Sequence, residues 1–262
     1  MNKTIYMTYK KDIPEIVGER WLTLNPDYKI DLSLDKDCIE FLTKYFNSNV
    51  SNYFKIITKG MYKADLWRLC KLYINAGVYA DVDLVPYLNI DRLDKTIEFY
   101  SCISCMNIHG GSIFQAFIIN FSKAKNPLFL VFLISFLINK HKHYFVQPTI
   151  DMYKCIKYMI NDESITHDKK YEIDEIKMKI EIGPSNINTK EIDLSYFPDD
   201  IQYSIKLHNN IFKDEFNFNI TNNLLTVKRT DSPNGWGYNH SIDIIFPQKT
   251  SFYFFKEEVI KE

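Results

Sequence analysis

A chain of 262 residues can bury one large α/β core, or two small ones, without disulfides or structural metals, and a single domain is the expectation. With 46% hydrophobic and 25% charged residues the composition is globular and excludes a disordered chain. The 32 basic residues against 33 acidic ones give a formal charge of −1, which argues against nucleic acid or an acidic membrane as partner, so that any nucleotide bound is expected to be small and metal-neutralised.

Thr4 to Tyr9 is β-branched and aromatic and predicts an opening strand, which runs into the turn residues Lys10 to Pro14. Nucleotide-binding α/β folds begin in this way. Glu15 to Leu24 predicts a helix, Asn25-Pro26-Asp27 a turn, and Tyr28 to Leu34 a second strand. Asp35 or Asp37 is placed to cap a helix from about Cys38 to Phe46. Farther along, Asn126 to Asn139 is apolar on all sides behind a proline, which predicts a helix buried against the sheet. Its apolar run, Leu128 to Ile138, is too short to cross a bilayer, and the opening MNKTIYMTYKKDIP has no apolar signal core, so a cytoplasmic chain without a transmembrane segment is expected. Five scattered cysteines, Cys38, Cys70, Cys102, Cys105 and Cys155, suit a reducing compartment, and the lone Cys102/Cys105 pair reads as buried thiols rather than a zinc or redox centre. No repeat or linker divides the chain, and the charged stretch from Asn161 to Lys179 reads as an insertion.

The segment YKADLWRLCKLYINAGVYADVDLVPYL carries the chemistry. Leu66, Leu69, Cys70, Tyr73 and Ile74 recur at helical spacing, Gly77 supplies a stop, and Asp65 and Arg68, three apart, are neighbours on one edge of that helix. Val78 to Val85 then predicts a strand ended by Pro86, in which Asp81 and Asp83 point to the same face. Like charges side by side at the end of an apolar strand call for a cation, and oxygen-only ligands favour Mg²⁺ or Mn²⁺ with positions left for phosphate oxygens. Alone, this pattern would not decide the matter. A bare Asp-x-Asp is common by chance, and an i,i+3 Asp–Arg pair by itself is an ordinary surface pair worth a few tenths of a kcal/mol.

The block KADLWRLCKLYINAGVYADVDLVP closely resembles the DXD sugar-binding region of glycosyltransferase family 32, related to the large clostridial glucosylating toxins. Family members usually read a double glycine where this chain has Ala76-Gly77, and His and Trp where it has Tyr6 and Tyr9. The resemblance implies an α/β fold of GT-A type, with a mixed, mostly parallel central sheet flanked by helices. It implies a donor-binding half over about residues 1–120, and an acceptor side with a metal-completing loop over about 121–262. It further implies that Thr8 and Tyr9 line the base pocket, that Asp65 and Arg68 contact donor hydroxyls, that Asp81 touches the sugar and ribose, and that Asp83, with Asp81, holds Mn²⁺ or Mg²⁺.

In the carboxyl-terminal VKRTDSPNGWGYNHSID, Asp231, Asn234 and Trp236 match the spacing with which toxin-like relatives complete the metal shell and hold the diphosphate. A plain turn with its Trp in the core is the alternative there. Gln115, following Gly110-Gly111, is matched to a donor or acceptor contact, and the loop Val146 to Thr149 has glutamine where relatives carry the glycine of a Thr-Gly-Pro turn. His208 and His240 sit in no ligand motif. The expected activity is a metal-dependent, retaining transfer of a hexose from a UDP- or GDP-sugar to a glycan or protein hydroxyl. A non-catalytic nucleotide-sugar-binding module of the same fold is the alternative.

Overall fold

The computed structural model describes residues 2–46, 48–104, 111–138, 147–162, 165–182, 189–193, 202–207, 216–221, 224–229 and 240–256. The chain divides into two compact units, Met1–Ile173 with Lys249–Glu262, and Asp174–Gln248, so that the second is inserted in sequence within the first. The first division falls inside the charged stretch from Asn161 to Lys179, which the sequence reads as an insertion and not a boundary.

In the first unit β1 (Thr4–Thr8), β2 (Lys29–Ser33), β3 (Gly77–Ala80), β4 (Phe99–Ile103), β5 (Ile113–Asn120), β6 (Lys170–Ile173) and β13 (Thr250–Phe255) form one sheet in the order β2-β1-β3-β5-β4-β13-β6. The sheet is mixed, as expected, with its pairings divided equally. β1 runs parallel to β2 and β3, and β4 parallel to β13, while β3/β5, β4/β5 and β6/β13 are antiparallel.

Period-two alternation buries both faces. Ile5, Met7, Val78, Ala80, Phe117 and Ile119 join Trp21 of α1 (Glu15–Leu24) in one core, where Trp21 stacks on Phe117 at 5.9 Å. Tyr79 and Phe99 point the other way. Tyr79 meets Trp67 of α4 (Gly60–Asn75) edge-on at 6.2 Å, and Phe99 meets Phe129 and Phe132 of α5 (Pro127–Ile138) at 6.1 and 5.9 Å. Residues 127–136 of α5 are all buried, as its all-round apolar sequence predicts. Cys38, Cys70 and Cys102 are buried; Cys105 lies outside the described residues.

Three local expectations are corrected. α2 (Asp35–Tyr45) starts three residues early, because Asp37 accepts a hydrogen bond from the Leu34 N–H at 2.9 Å and so closes the first turn from within. α3 (Ser48–Ile56) was not anticipated. Gln147 to Thr149 is no loop but the first turn of α6 (Gln147–Ile160), where Pro148 needs no N–H donor and Gln147 donates to Asp151 at 2.7 Å.

The second unit holds two antiparallel sheets, β10 (Phe216–Thr221), β11 (Leu224–Arg229) and β8 (Thr189–Asp193) in one, β7 (Ile176–Ile182), β12 (His240–Phe246) and β9 (Ser204–Leu207) in the other. Alternate residues Ile176, Met178, Ile180, Ile242, Ile244 and Phe246 are buried, giving the β7/β12 pair one apolar face.

Candidate functional site

β3 is four residues long and stops at Ala80, so the predicted strand through Val85 is corrected. The Asp81 N–H still reaches the Ala116 carbonyl at 2.8 Å, and the Leu84 N–H then returns to the Asp81 carbonyl at 3.3 Å, making a turn. Alternation in Asp-Val-Asp-Leu mimics a strand, but two adjacent carboxylates are held more cheaply in a turn that reaches solvent. Asp81 and Asp83 therefore do not share a strand face. They leave the sheet together where β1 and β3, parallel neighbours, both end. That is where ligands settle in open α/β sheets.

The last turn of α4 leads into β3 through Ala76, at φ 54°, and Gly77, at φ 110°. A Cβ on Gly77 would stand 3.0 Å from the Thr4 carbonyl oxygen and 3.0 Å from the Tyr6 ring. Gly77 thus lets the chain reverse against β1, which sets Asp81 beside α4.

Asp65 and Arg68 are not a surface pair: they are 8% and 4% exposed. Arg68 Nη2 lies 3.2 Å from Asp65 Oδ1 and 3.5 Å from Asp81 Oδ1, Nε donates to the Ala64 carbonyl at 3.2 Å, and Nη1 donates to the Gln115 carbonyl. Its guanidinium also stacks on the Tyr79 ring, 4.4 Å from the centroid. Tyr79 in turn donates its hydroxyl to Asp81 Oδ1 at 2.5 Å. Burial pushes the Asp65 carboxyl up to about 6, because the Arg68 charge only partly offsets desolvation and Asp81 adds repulsion. Burial works against the Arg68 cation, yet Asp81, Tyr79, Asp65 and Asp83 together hold it more firmly protonated than usual.

A cleft of about 510 Å³ opens over this cluster, lined by Thr8, Tyr9 and Lys10 after β1, by Asp35, by Thr58 to Ala64 around the start of α4, and by Arg68, Asp81, Val82 and Asp83. Thr8 donates its hydroxyl to the Ser33 carbonyl at 2.9 Å, while Tyr9 is 38% exposed. The structure thus gathers Thr8, Tyr9, Arg68, Asp81 and Asp83 into one cleft, with Asp65 directly behind Arg68. Gln115 is 3% exposed and donates to the Pro148 carbonyl at 2.9 Å, and its buried Oε1 has no hydrogen bond among the described residues. Asp231, Asn234, Trp236 and His208 lie outside the described residues, and their roles rest on the sequence resemblance alone.

Asp81 and Asp83 fit a hard divalent cation in kind. Asp81 Oδ1 is taken by Tyr79 and Arg68, Asp83 is exposed, and the free donors are all carboxylate oxygens. Among the described residues no group of three or more His, Cys, Asp or Glu could hold a metal, so substrate oxygens or other residues would have to fill the shell.

Residues 16–100 match the family described as "Glycosyltransferase sugar-binding region containing DXD motif". Over that stretch, about a third of its length, the chain is similar to the DXD sugar-binding region of glycosyltransferases. Within it fall Asp65, Arg68, Asp81 and Asp83, but Thr8 and Tyr9 precede it. The chain is 30% identical over 100 residues to the initiation-specific alpha-1,6-mannosyltransferase of Candida albicans (strain SC5314 / ATCC MYA-2876), an alignment covering 34% of this chain and 26% of the relative. It thus spans about a quarter of that relative's length. Among solved structures the PaToxG glycosyltransferase is similar at 17% identity and a TM-score of 0.45, over 62% of this chain and 71% of that one.

Sequence reasoning missed Tyr79 and much of the cleft lining, Asp35, Gly60, Met61 and Lys63 among it. Tyr79 is two residues before Asp81, a spacing that places both on one side of the chain. Gly60, Met61 and Lys63 share with Ala64 and Arg68 one face of α4, which helical spacing from Arg68 could have shown. No helix among the described residues is long and apolar enough to cross a membrane.

Proposed function

We propose that the chain is a metal-dependent, retaining glycosyltransferase that moves a hexose from a UDP- or GDP-sugar to a hydroxyl of a glycan or protein. The observation that carries this reading is the convergence of the buried Asp65–Arg68 pair, the half-buried Asp81 tied to it and the exposed Asp83 at one cleft inside the stretch that matches the DXD region. A purely structural role does not account for a desolvated arginine tied to two carboxylates at a cleft floor, since apolar residues would fill that space at lower cost.

Asp81 and Asp83 would hold Mn²⁺ or Mg²⁺, which as a Lewis acid would stabilise charge on the departing diphosphate. Asp65 and Arg68, anchored to each other, fix the sugar hydroxyls in a single orientation. Tyr79 and Arg68 occupy one oxygen of Asp81 and leave the other to face the ligand. Thr8 and Tyr9 bound the nucleoside.

Nucleotide release is measured for a panel of UDP- and GDP-hexoses with Mn²⁺ or chelator, comparing the native chain with Asp83→Asn. One donor is expected to be hydrolysed only with metal, and Asp83→Asn should lower the rate at least about a hundredfold. Donor binding without turnover on any acceptor would instead identify a non-catalytic module. The absence of any metal-dependent binding would sink both readings.

A further inference from the structure

The cleft-lining face of α4 carries, from its first turn inward, Gly60, Met61, Lys63, Ala64 and Arg68. At 1.5 Å per residue Gly60 stands about 12 Å along the axis from Arg68. Arg68 is tied to Asp81, so the carboxylates mark one end of the cleft and Gly60 the other. This separation is comparable to the reach of a nucleoside from its diphosphate. A donor whose diphosphate sits at Asp81 and Asp83 therefore brings its base to the first turn of α4.

Open space and polar groups meet at that end. Gly60 has no left-handed backbone to excuse it, and a Cβ built on it meets nothing within 4 Å. The helix would be more stable with alanine there, so the space is what the glycine provides. Lys63 Nζ meets Asp35 Oδ2 at 2.5 Å across the cleft wall, with side chains 19% and 43% exposed. The Lys63 ammonium also lies over the Phe54 ring, 5.0 Å from its centroid, a cation–π contact. Beyond that ring and each other, Asp35 Oδ1 and the Lys63 ammonium have no partner among the described residues. An acceptor and a donor thus stand side by side in the lining of the cleft. Tyr9 and Met61, 38% and 41% exposed, offer apolar faces to a flat ring in the same cleft.

We propose that Asp35, Lys63 and Gly60 select the base of the donor nucleotide. Asp35 accepts from a ring N–H, Lys63 donates to the carbonyl oxygen beside it, and Gly60 gives the ring room against the helix. The chemistry recognised is a ring N–H flanked by C=O, which uracil and guanine present. On the same tether cytosine and adenine carry the reverse pattern, so an acceptor meets Asp35 and a donor meets Lys63. Polar groups that a bound ring shields from water and leaves facing like partners disfavour such ligands.

This selection rests on the nucleotide-sugar reading above, and the two can fail separately. Binding of UDP, GDP, CDP and ADP to the full chain is measured calorimetrically with Mn²⁺, for the native protein and for Asp35→Asn, Lys63→Met and Gly60→Leu. Natively, UDP or GDP is expected to bind at least about tenfold tighter than CDP and ADP, and Asp35→Asn and Lys63→Met should narrow that ratio to about threefold or less. Gly60→Leu, whose side chain enters open space, should keep its melting temperature and lose affinity for all four. Equal, Mn²⁺-dependent affinity for the four natively, or an unchanged ratio in folded Asp35→Asn or Lys63→Met, would overturn the selection and leave the transferase reading standing. No Mn²⁺-dependent binding of any nucleotide would overturn both.

Discussion

Tyr79 shows how much of a site can rest on one residue that binds no ligand. Its ring is fully buried between Trp67 and the Arg68 guanidinium, and burial raises its hydroxyl far above the usual phenol range, so it stays a donor at any working pH. That donor has one partner in view, Asp81 Oδ1 at 2.5 Å. Removing the hydroxyl while keeping the ring should leave the packing intact and free Asp81 to rotate. Tyr79→Phe is accordingly expected to fold with an unchanged near-ultraviolet circular dichroism spectrum. It should raise the Mn²⁺ concentration needed for half-maximal activity by about tenfold or more, the usual effect of losing a group that orients a metal-binding carboxylate. A metal titration of the two proteins at saturating donor checks this, and an unchanged midpoint would assign Tyr79 to packing alone.

Among the elements, α4 carries the most conflict between burial and charge. Arg68 is offset by Asp65 and Asp81, and Lys71, 8% exposed, by Asp31 at 3.1 Å with Tyr6 and Phe41 rings around it. The helix itself was legible, since its apolar stripe repeats at helical spacing; the burial of its charged edge was not, because an i,i+3 Asp–Arg pair looks alike on a surface and in a core. The helix at Glu15 to Leu24 was legible as well, and the one at Pro127 to Ile138 from a run apolar on all sides behind a proline. The turn at Asp81 to Asp83 was hidden by an alternation that a strand would share.

The buried acid leaves a signature in stability. With its carboxyl at about 6 in the folded chain against 3.8 for the ordinary side chain, Asp65 keeps its proton in the native state over a range where the unfolded chain has lost it. The Asp65 contribution to native stability must then fall as pH rises from about 4 to 6, by at most about 3 kcal/mol, and stay at the lower level above. Asp65→Asn keeps an oxygen for Arg68 and removes the ionisation. The variant should match the native melting temperature near pH 4 and exceed it by several degrees at pH 7, while losing transferase activity. Thermal melts at the two values check the sign. A variant less stable at pH 7 would mean that the attraction to Arg68 outweighs the desolvation.

At the scale of the whole molecule, the insertion of Asp174–Gln248 poses a question that register answers. Ile173, the last residue of β6, pairs with Thr250, the first of β13, in antiparallel register. Two paired strand ends are close enough to be joined by a two-residue turn, so the first unit has no geometric need of the intervening chain. The sheet's remaining order, β2-β1-β3-β5-β4-β13, with cores on both faces, is contained within that unit. Sequence reading found no linker here because the chain passes from β6 to β7 through a tight charged turn, Asp174-Glu175, with no Gly or Pro-rich spacer. Replacing residues 174–249 by Asn-Gly, which closes a two-residue hairpin, should therefore yield a folded protein. The same replacement removes Trp236 and leaves Trp21 and Trp67, both fully buried, as the only indoles. A blue-shifted emission that moves red in one cooperative step on heating is the expected result, because both report on the same sheet from its opposite faces. Red-shifted emission at ambient temperature would show instead that the sheet cannot close without the inserted unit.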